Sequence, residues 1–200
     1  LYKSALDPRT RRSRIAGFST VELAVSLTVL LILTAIAIPS LMRSLRTYQL
    51  NDAAARLSDM LKFTRFEAVR RNTQVNFLIL SSGADWIAGT DSNNNGSIDP
   101  TEKQILIHGI VTLLPSGTPP SPASILAKLG ATSSLDASKS GAAGSLTFDA
   151  RGAVSPLAAY VLYLGSANSP EFGYRAVILL PSGATQIWTA PGGGTWQRIG

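Results

Sequence analysis

The feature that most limits how this chain can fold is a nearly unbroken apolar run from Leu23 to Ile38, closed by Pro39 and continued through Ser40, Leu41 and Met42. Ahead of it Lys3, Arg9, Arg11, Arg12 and Arg14 stand against a single acid, Asp7. A basic flank before roughly 20 apolar residues is the pattern of a membrane-spanning helix whose start is held in the cytoplasm, because lysine and arginine resist translocation. One residue breaks the pattern. Glu22 stands immediately before the run, and a carboxylate there is costly in lipid, so it marks a functional position that needs a partner.

Two rival readings of this stretch explain less. A secretory signal also has a basic start and an apolar middle, but here no small-x-small cleavage site closes the run. A plain signal anchor accounts for the charge and the hydropathy, though not for Gly17, Phe18 and Glu22 occurring together. That constellation resembles the type IV prepilin signal. The resemblance implies that a membrane-embedded prepilin peptidase cuts between Gly17 and Phe18 and N-methylates Phe18. It also implies a partner for Glu22, the α-amine of Phe18 in a neighbouring subunit as the helices pack into a filament.

The formal charge of +6 invites a nucleic-acid reading, but the segment up to Gly17 holds five of the positive charges and one negative. A chain starting at Phe18 would carry only +2. The basic balance is therefore mostly a topology signal. With no cysteine, disulfides, thiol chemistry and cysteine metal sites are excluded. Two hundred residues allow one span and one modest domain. A start at Leu1 is expected of a fragment or of an alternative start.

Beyond the span the helical pattern continues. Leu50, Ala54, Leu57, Leu61 and Ala68 recur at steps of four and three, or their sum, on one side of a wheel. Arg70, Arg71 and Asn72 supply cations for a last turn and a residue tolerant of a left-handed cap. A helix from about Ser19 to Arg71 would reach roughly 80 Å, far more than a bilayer needs, so its second half must serve another domain. Pro39 is expected to kink the first half.

After Asn72 the residues read as short strands: Gln74 to Leu80, Trp86 to Ala88, one or two within Gln104 to Leu114, Ser145 to Phe148, Ala158 to Leu164, Tyr174 to Leu180, Gln186 to Thr189 and Thr195 to Ile199. Turns are expected at Ser81 to Asp85, Asp149 to Gly152 and Pro181 to Ala184. Between Pro115 and Gly144 the composition shifts to Pro, Ser, Gly, Ala and Thr. That reads as a long surface insertion, anchored by Ile125, Leu126 and Leu129, with room for one helical turn at Ser124 to Leu129. The expected fold is thus α+β, with a long N-terminal transmembrane helix packed on a C-terminal antiparallel β domain.

This order resembles the GspH/FimT branch of pseudopilins and minor pilins. The matching stretches are Phe66 to Asn72, the Asp91 to Glu102 loop, Leu146 to Gly152, and Pro181-Ser182-Gly183 with Trp196. The resemblance implies a pilin-like fold: residues 1–17 a cleaved leader, 18–42 a filament-core helix, 43–72 its amphipathic continuation, and 73–200 an extracytoplasmic β domain with the insertion at about 115–144. It implies a minor pseudopilin of a type II secretion pseudopilus or type IV pilus-like filament, single-pass in a bacterial inner membrane with its N-terminus cytoplasmic. Implied partners are the peptidase, major and other minor pseudopilins, the inner-membrane assembly platform and membrane lipid. The alternative within the branch is a FimT-like minor pilin that binds DNA during transformation. Arg175 and Arg198 are the only cations after Arg151, a thin footprint for phosphate capture.

One loop invites a metal. Asp91, Asn93, Asn95, Gly96, Ser97, Asp99 and Glu102 occupy the ligand and glycine positions of a calcium-loop pattern, and a hard cation needs six to eight oxygens gathered in this way. The flanks read as strands rather than paired helices, and a run of Asp, Asn and Gly between strands is also an ordinary solvated loop. Calcium is the one cofactor that the pattern admits, and none is required. No enzyme is expected. His108 lies in a strand-like Gln-Ile-Leu-Ile-His-Gly-Ile-Val context, and Gly192-Gly193-Gly194 lacks the strand-then-helix setting of a nucleotide cradle. Trp86, Trp188, Trp196, Tyr160 and Tyr163 could form a sugar platform, but alternating strands make them core or sheet-face residues.

Overall fold

The computed structural model describes residues 17–114, 125, 143–166, 168–192 and 194–199. Helix α1 (Thr20–Arg71) runs without interruption through Pro39. The chain divides into two compact units at Met42 and Arg43. In the first, α1 opens on Ser19, whose side-chain oxygen accepts the Val21 N–H (3.3 Å), satisfying one of the free donors at a helix start, and whose carbonyl accepts the first intrahelical bond, from Leu23.

In the second unit the same helix becomes one-sided. Leu50, Ala54, Leu57, Leu61 and Ala68 are fully buried, with Ala53 and Met60 filling the gaps between them, so the stripe expected from the spacing is the packing face. Each buried leucine contributes about 1.5–3 kcal/mol. The helix ends in a Schellman motif: Asn72 takes the left-handed conformation (φ 50°), its N–H bonds the Val69 carbonyl, and the Thr73 N–H bonds that of Ala68. Arg70 and Arg71 lie in the last turn, where the helix dipole favours cations.

Among the described residues ten strands form two antiparallel sheets. The first, in spatial order, holds β3 (Gln104–Ile107), β2 (Asp85–Asp91), β1 (Val75–Ser82), β5 (Ala143–Phe148) and β6 (Val154–Ser155); the second holds β10 (Gln197–Arg198), β9 (Thr185–Ala190), β8 (Tyr174–Leu179), β7 (Tyr160–Gly165) and β4 (Thr112–Leu114). The helix stripe meets both. Its core continues through Phe77 and Ile79 of β1, Leu146 and Phe148 of β5, Leu162 and Leu164 of β7, and Val177 and Leu179 of β8. The alternate residues of β7 and β8, including Tyr163, Ala176 and Ile178, enter a second cluster with Trp188, Trp196 and Ile125. Burial on both faces is why β7 and β8 are almost wholly apolar rather than alternating. Hydrogen bonds tie α1 to both sheets: Thr64 to Thr90 at 2.7 Å and Ser58 to Thr185 at 2.8 Å.

Several sequence expectations need correction. The return strand β2 extends from Asp85 to Asp91, past the stop read at Ala88, because Gly89 lets Ile98 pack directly on the strand; a Cβ there would lie 2.9 Å from Ile98 Cγ2. The stretch from Gln104 to Leu114 splits between the two sheets, with a turn at 108–111, so His108 is an exposed turn residue and not a strand residue. The two-residue β6 is a further strand that the residue pattern does not mark. Of the 115–144 insertion, 115–124 and 126–142 lie outside the described residues, as does most of the helical turn expected at Ser124 to Leu129; Ile125 is fully buried.

Candidate functional site

The candidate assembly segment begins at Gly17 and Phe18, which lie in non-helical chain just ahead of α1. Phe18 is 77% exposed. Glu22 stands in the first helical turn, where the positive end of the helix favours a carboxylate by about 0.3–1 kcal/mol. Among the described residues no cation pairs with it. From Thr20 to Met42 every residue is exposed, including Leu23, Val25, Leu27, Val29 and Leu30 to Leu33. Three of the hydroxyls that interrupt this surface bond within it: Ser26 donates to the Glu22 carbonyl (2.8 Å), Thr28 to that of Ala24 (2.8 Å), and Thr34 to that of Leu30. An apolar helix whose polar side chains bond its own backbone can enter lipid or a helical filament core without leaving an unsatisfied group. Among the described residues this is the one helix long and apolar enough to cross a membrane.

In the β-rich unit, the sequence stretches singled out above converge at two places. At the first, Glu67 accepts Arg70 Nε and Nη2 (3.0 and 2.7 Å) and Arg71 Nε (2.9 Å), while Arg71 Nη1 donates to the Ser92 carbonyl (3.0 Å). Hydrogen bonding from Arg70, opposed by burial and aided by Arg71, holds the Glu67 carboxyl below its ordinary range. The end of α1 is thereby fixed to the loop after β2. At the second, Arg65 Nε donates to the Gly152 carbonyl (3.1 Å), and the Val154 N–H bonds the Pro181 carbonyl (3.0 Å). The turns at 149–152 and 181–184 thus meet against the helix. Gly183 (φ 80°) is required there, since a Cβ would lie 2.1 Å from the Gly152 carbonyl oxygen and 2.9 Å from Arg65 Nε. Spacing marked both turns, but nothing in it showed that Arg65 joins them.

The 91–102 loop is stitched by its own donors. Fully buried Asp91 accepts the N–H groups of Asn95 (3.0 Å) and Gly96 (2.9 Å), Asn93 Oδ1 also accepts that of Asn95 (3.0 Å), and Asn95 Oδ1 accepts that of Ser97 (2.8 Å). The amides of Asn93 and Asn95 both donate to Asp99 Oδ2, at 2.8 and 3.1 Å. Glu102 accepts the Ser92 N–H and hydroxyl (2.7 and 2.8 Å) and the Asp99 N–H (3.0 Å). Burial works to raise the Glu102 pKa, but these donors outweigh it and hold the carboxyl below its ordinary range. Among the described residues no three carboxylates or histidines gather closely enough to hold an ion; the ligand set would have to be completed by Asn93, Asn95 and backbone oxygens.

Of the aromatic residues considered for a sugar platform, Tyr160, Tyr163, Trp188 and Trp196 are core. Trp196 is fully buried, with its ring centroid 5.8 Å from that of Tyr163, and burial pushes the Tyr163 hydroxyl up to about 12. Trp86 is half-buried and donates to Thr112 (2.9 Å). Of the two C-terminal cations, Arg175 is buried among the strands.

Residues 53–183 match the protein family described as Type II transport protein GspH. The chain belongs to the GspH family. No curated protein matches it. Among solved structures, it is similar to the type IV minor pilin FimU of Pseudomonas aeruginosa, at 20% identity over 69% of this chain and 91% of that one, with a TM-score of 0.47. It is also similar to EpsH, a minor pseudopilin from the Type 2 Secretion System of Vibrio cholerae, at 12% identity over 76% and 96% of the two chains, with a TM-score of 0.39. GspH-family membership gives the architecture its description: a pilin-like α+β fold with its apolar helix as a single-pass membrane anchor.

Proposed function

We propose that this GspH-family chain is a minor pseudopilin, a structural subunit that enters a type II secretion pseudopilus or related filament through residues 18–42. The observation that carries the reading is the apolar helical stretch from Thr20 to Met42, exposed throughout and with Ser26 and Thr28 bonded to its own backbone, in a chain whose second unit, from Arg43 on, has a buried core without it. Such a surface needs lipid before assembly and other helices after it. The geometry supports assembly: the peptidase would release the leader at Gly17, and the apolar segment would then exchange lipid for neighbouring major and minor subunits at the assembly platform. Site-specific crosslinking from the apolar segment to a major pseudopilin in intact membranes tests this. Adducts are expected; their absence, with the protein correctly in the membrane, would overturn the reading.

Calcium at the 91–102 loop remains a proposal resting on the residue pattern. To admit an ion, the amides of Asn93 and Asn95 must turn their oxygens inward, and Glu102 must release Ser92 or Asp99. This competition, with only three carboxylates, argues for weak binding, on the order of 0.1–1 mM. Calcium well above that range is expected to raise the Tm of the protein, since a ligand of the folded state stabilises by mass action, about 0.4 kcal/mol at the dissociation constant and more beyond it. Asp99→Asn should remove the rise. Identical melting curves in calcium and chelator would make the loop a self-closed turn and nothing more.

A further inference from the structure

The strand β8 carries one charge in an otherwise apolar stretch, Arg175, and it is only 5% exposed. Its guanidinium is held by neutral acceptors: Nε donates to Asn51 Oδ1 on α1 (2.6 Å) and Nη1 to the Tyr174 carbonyl (2.9 Å). The described residues supply no carboxylate within ion-pair distance. Nη2 has no hydrogen-bond partner there, yet no buried side-chain nitrogen or oxygen is unsatisfied, so this nitrogen reaches a surface. Arg175 lines a cavity of about 550 Å³, whose other lining residues include Arg43, Thr47, Glu171, Phe172 and Thr189. Thr189 faces Arg175 across the β8–β9 ladder, and Thr47 follows Arg43 by one helical turn. Two arginines and two threonines therefore line one cavity. Its one carboxylate, Glu171, is exposed and pairs with neither arginine. Burial holds the Arg175 pKa below its ordinary value, as expected for a desolvated cation without a counter-charge.

We propose that this cavity binds the phosphate of an anionic phospholipid headgroup. Arginine and hydroxyl donors suit a phosphate, which accepts several charge-assisted hydrogen bonds at once. The volume falls in the range of small-ligand sites. The chain itself argues for lipid as the source: Arg43 directly follows Met42, the last residue of the apolar stretch, and cations flanking a span attract anionic headgroups. The proposal rests on the membrane-anchored reading, but its test is separable, because parent and variants share one apolar segment.

The full chain, purified in zwitterionic detergent with an equimolar mixture of phosphatidylglycerol and phosphatidylcholine, should retain one phosphatidylglycerol per protein in native mass spectrometry. Arg175→Gln and the exposed Arg43→Gln should each weaken that retention by about tenfold or more, the loss expected for one charge-assisted hydrogen bond. Arg43→Gln keeps the test open if the buried substitution harms folding. Equal retention in parent and Arg43→Gln, or no preference for phosphatidylglycerol over phosphatidylcholine, would overturn the proposal. Displacement of the lipid by excess inorganic phosphate, with equal protection of the fold, would overturn the lipid assignment in favour of free phosphate.

Discussion

Replacing Glu22 by alanine is expected to leave membrane insertion at least as efficient as in the parent and to reduce crosslinking to neighbouring subunits by about tenfold or more, the weight of one charge-assisted contact. The cost of a carboxylate in a span runs up to about 2.5–3.5 kcal/mol at mid-bilayer, less near the interface. The helix start offsets only about 0.3–1 kcal/mol of it. Glu22 finds no cation among the described residues of its own chain, and the α-amine of Phe18 in an adjacent subunit is the proposed source of the remaining compensation. Glu22→Gln should behave like the alanine variant, because the amide keeps the shape and loses the charge that attracts an ammonium. Undiminished crosslinks in both variants would remove Glu22 from assembly and leave the segment a simple anchor.

Gly183→Ala is expected to give the largest loss of stability from a single methyl group in this fold. The residue has φ 80°, and the added carbon would sit 2.1 Å from the Gly152 carbonyl oxygen, the acceptor of Arg65. The left-handed backbone costs about 1–3 kcal/mol for a side chain, and forcing atoms into a packed site costs about 1–3 kcal/mol more. For a domain of this size that lowers the Tm by roughly 5–20 °C. The control is Gly83→Ala, which has φ 66° but no atom within 4 Å of the new carbon, so it should show only the backbone part. Equal shifts in the two variants would mean that the junction of Arg65, Gly152 and Gly183 yields at little cost.

The helix was legible because its information is local. Apolar steps of three and four marked the packing face, and Asn72 marked the cap. The loop between β2 and β3 was legible for the same reason: Asp, Asn and Gly bond their own backbone neighbours, and Asp91, Asn93 and Asn95 do so here. What spacing could not show was which strands share a sheet. Ile107 and Leu113 are six residues apart yet lie in different sheets, because pairing depends on partners far along the chain. Nor could it show that Arg65 binds between two turns more than eighty residues away. For Arg175 a signal existed, one charge in a wholly apolar strand, but its meaning needed the position of Asn51 and the cavity beside it.

The central claim is that Phe18 becomes the first residue of a filament subunit, and an intact mass tests it most directly. Co-expressed with a prepilin peptidase, the protein should lose residues 1–17 and gain one methyl group at the new N-terminus. Gly17 replaced by a bulky residue should block the cut while the protein still enters the membrane. A mass that still includes Arg9 to Arg14 in the presence of an active peptidase would contradict the claim.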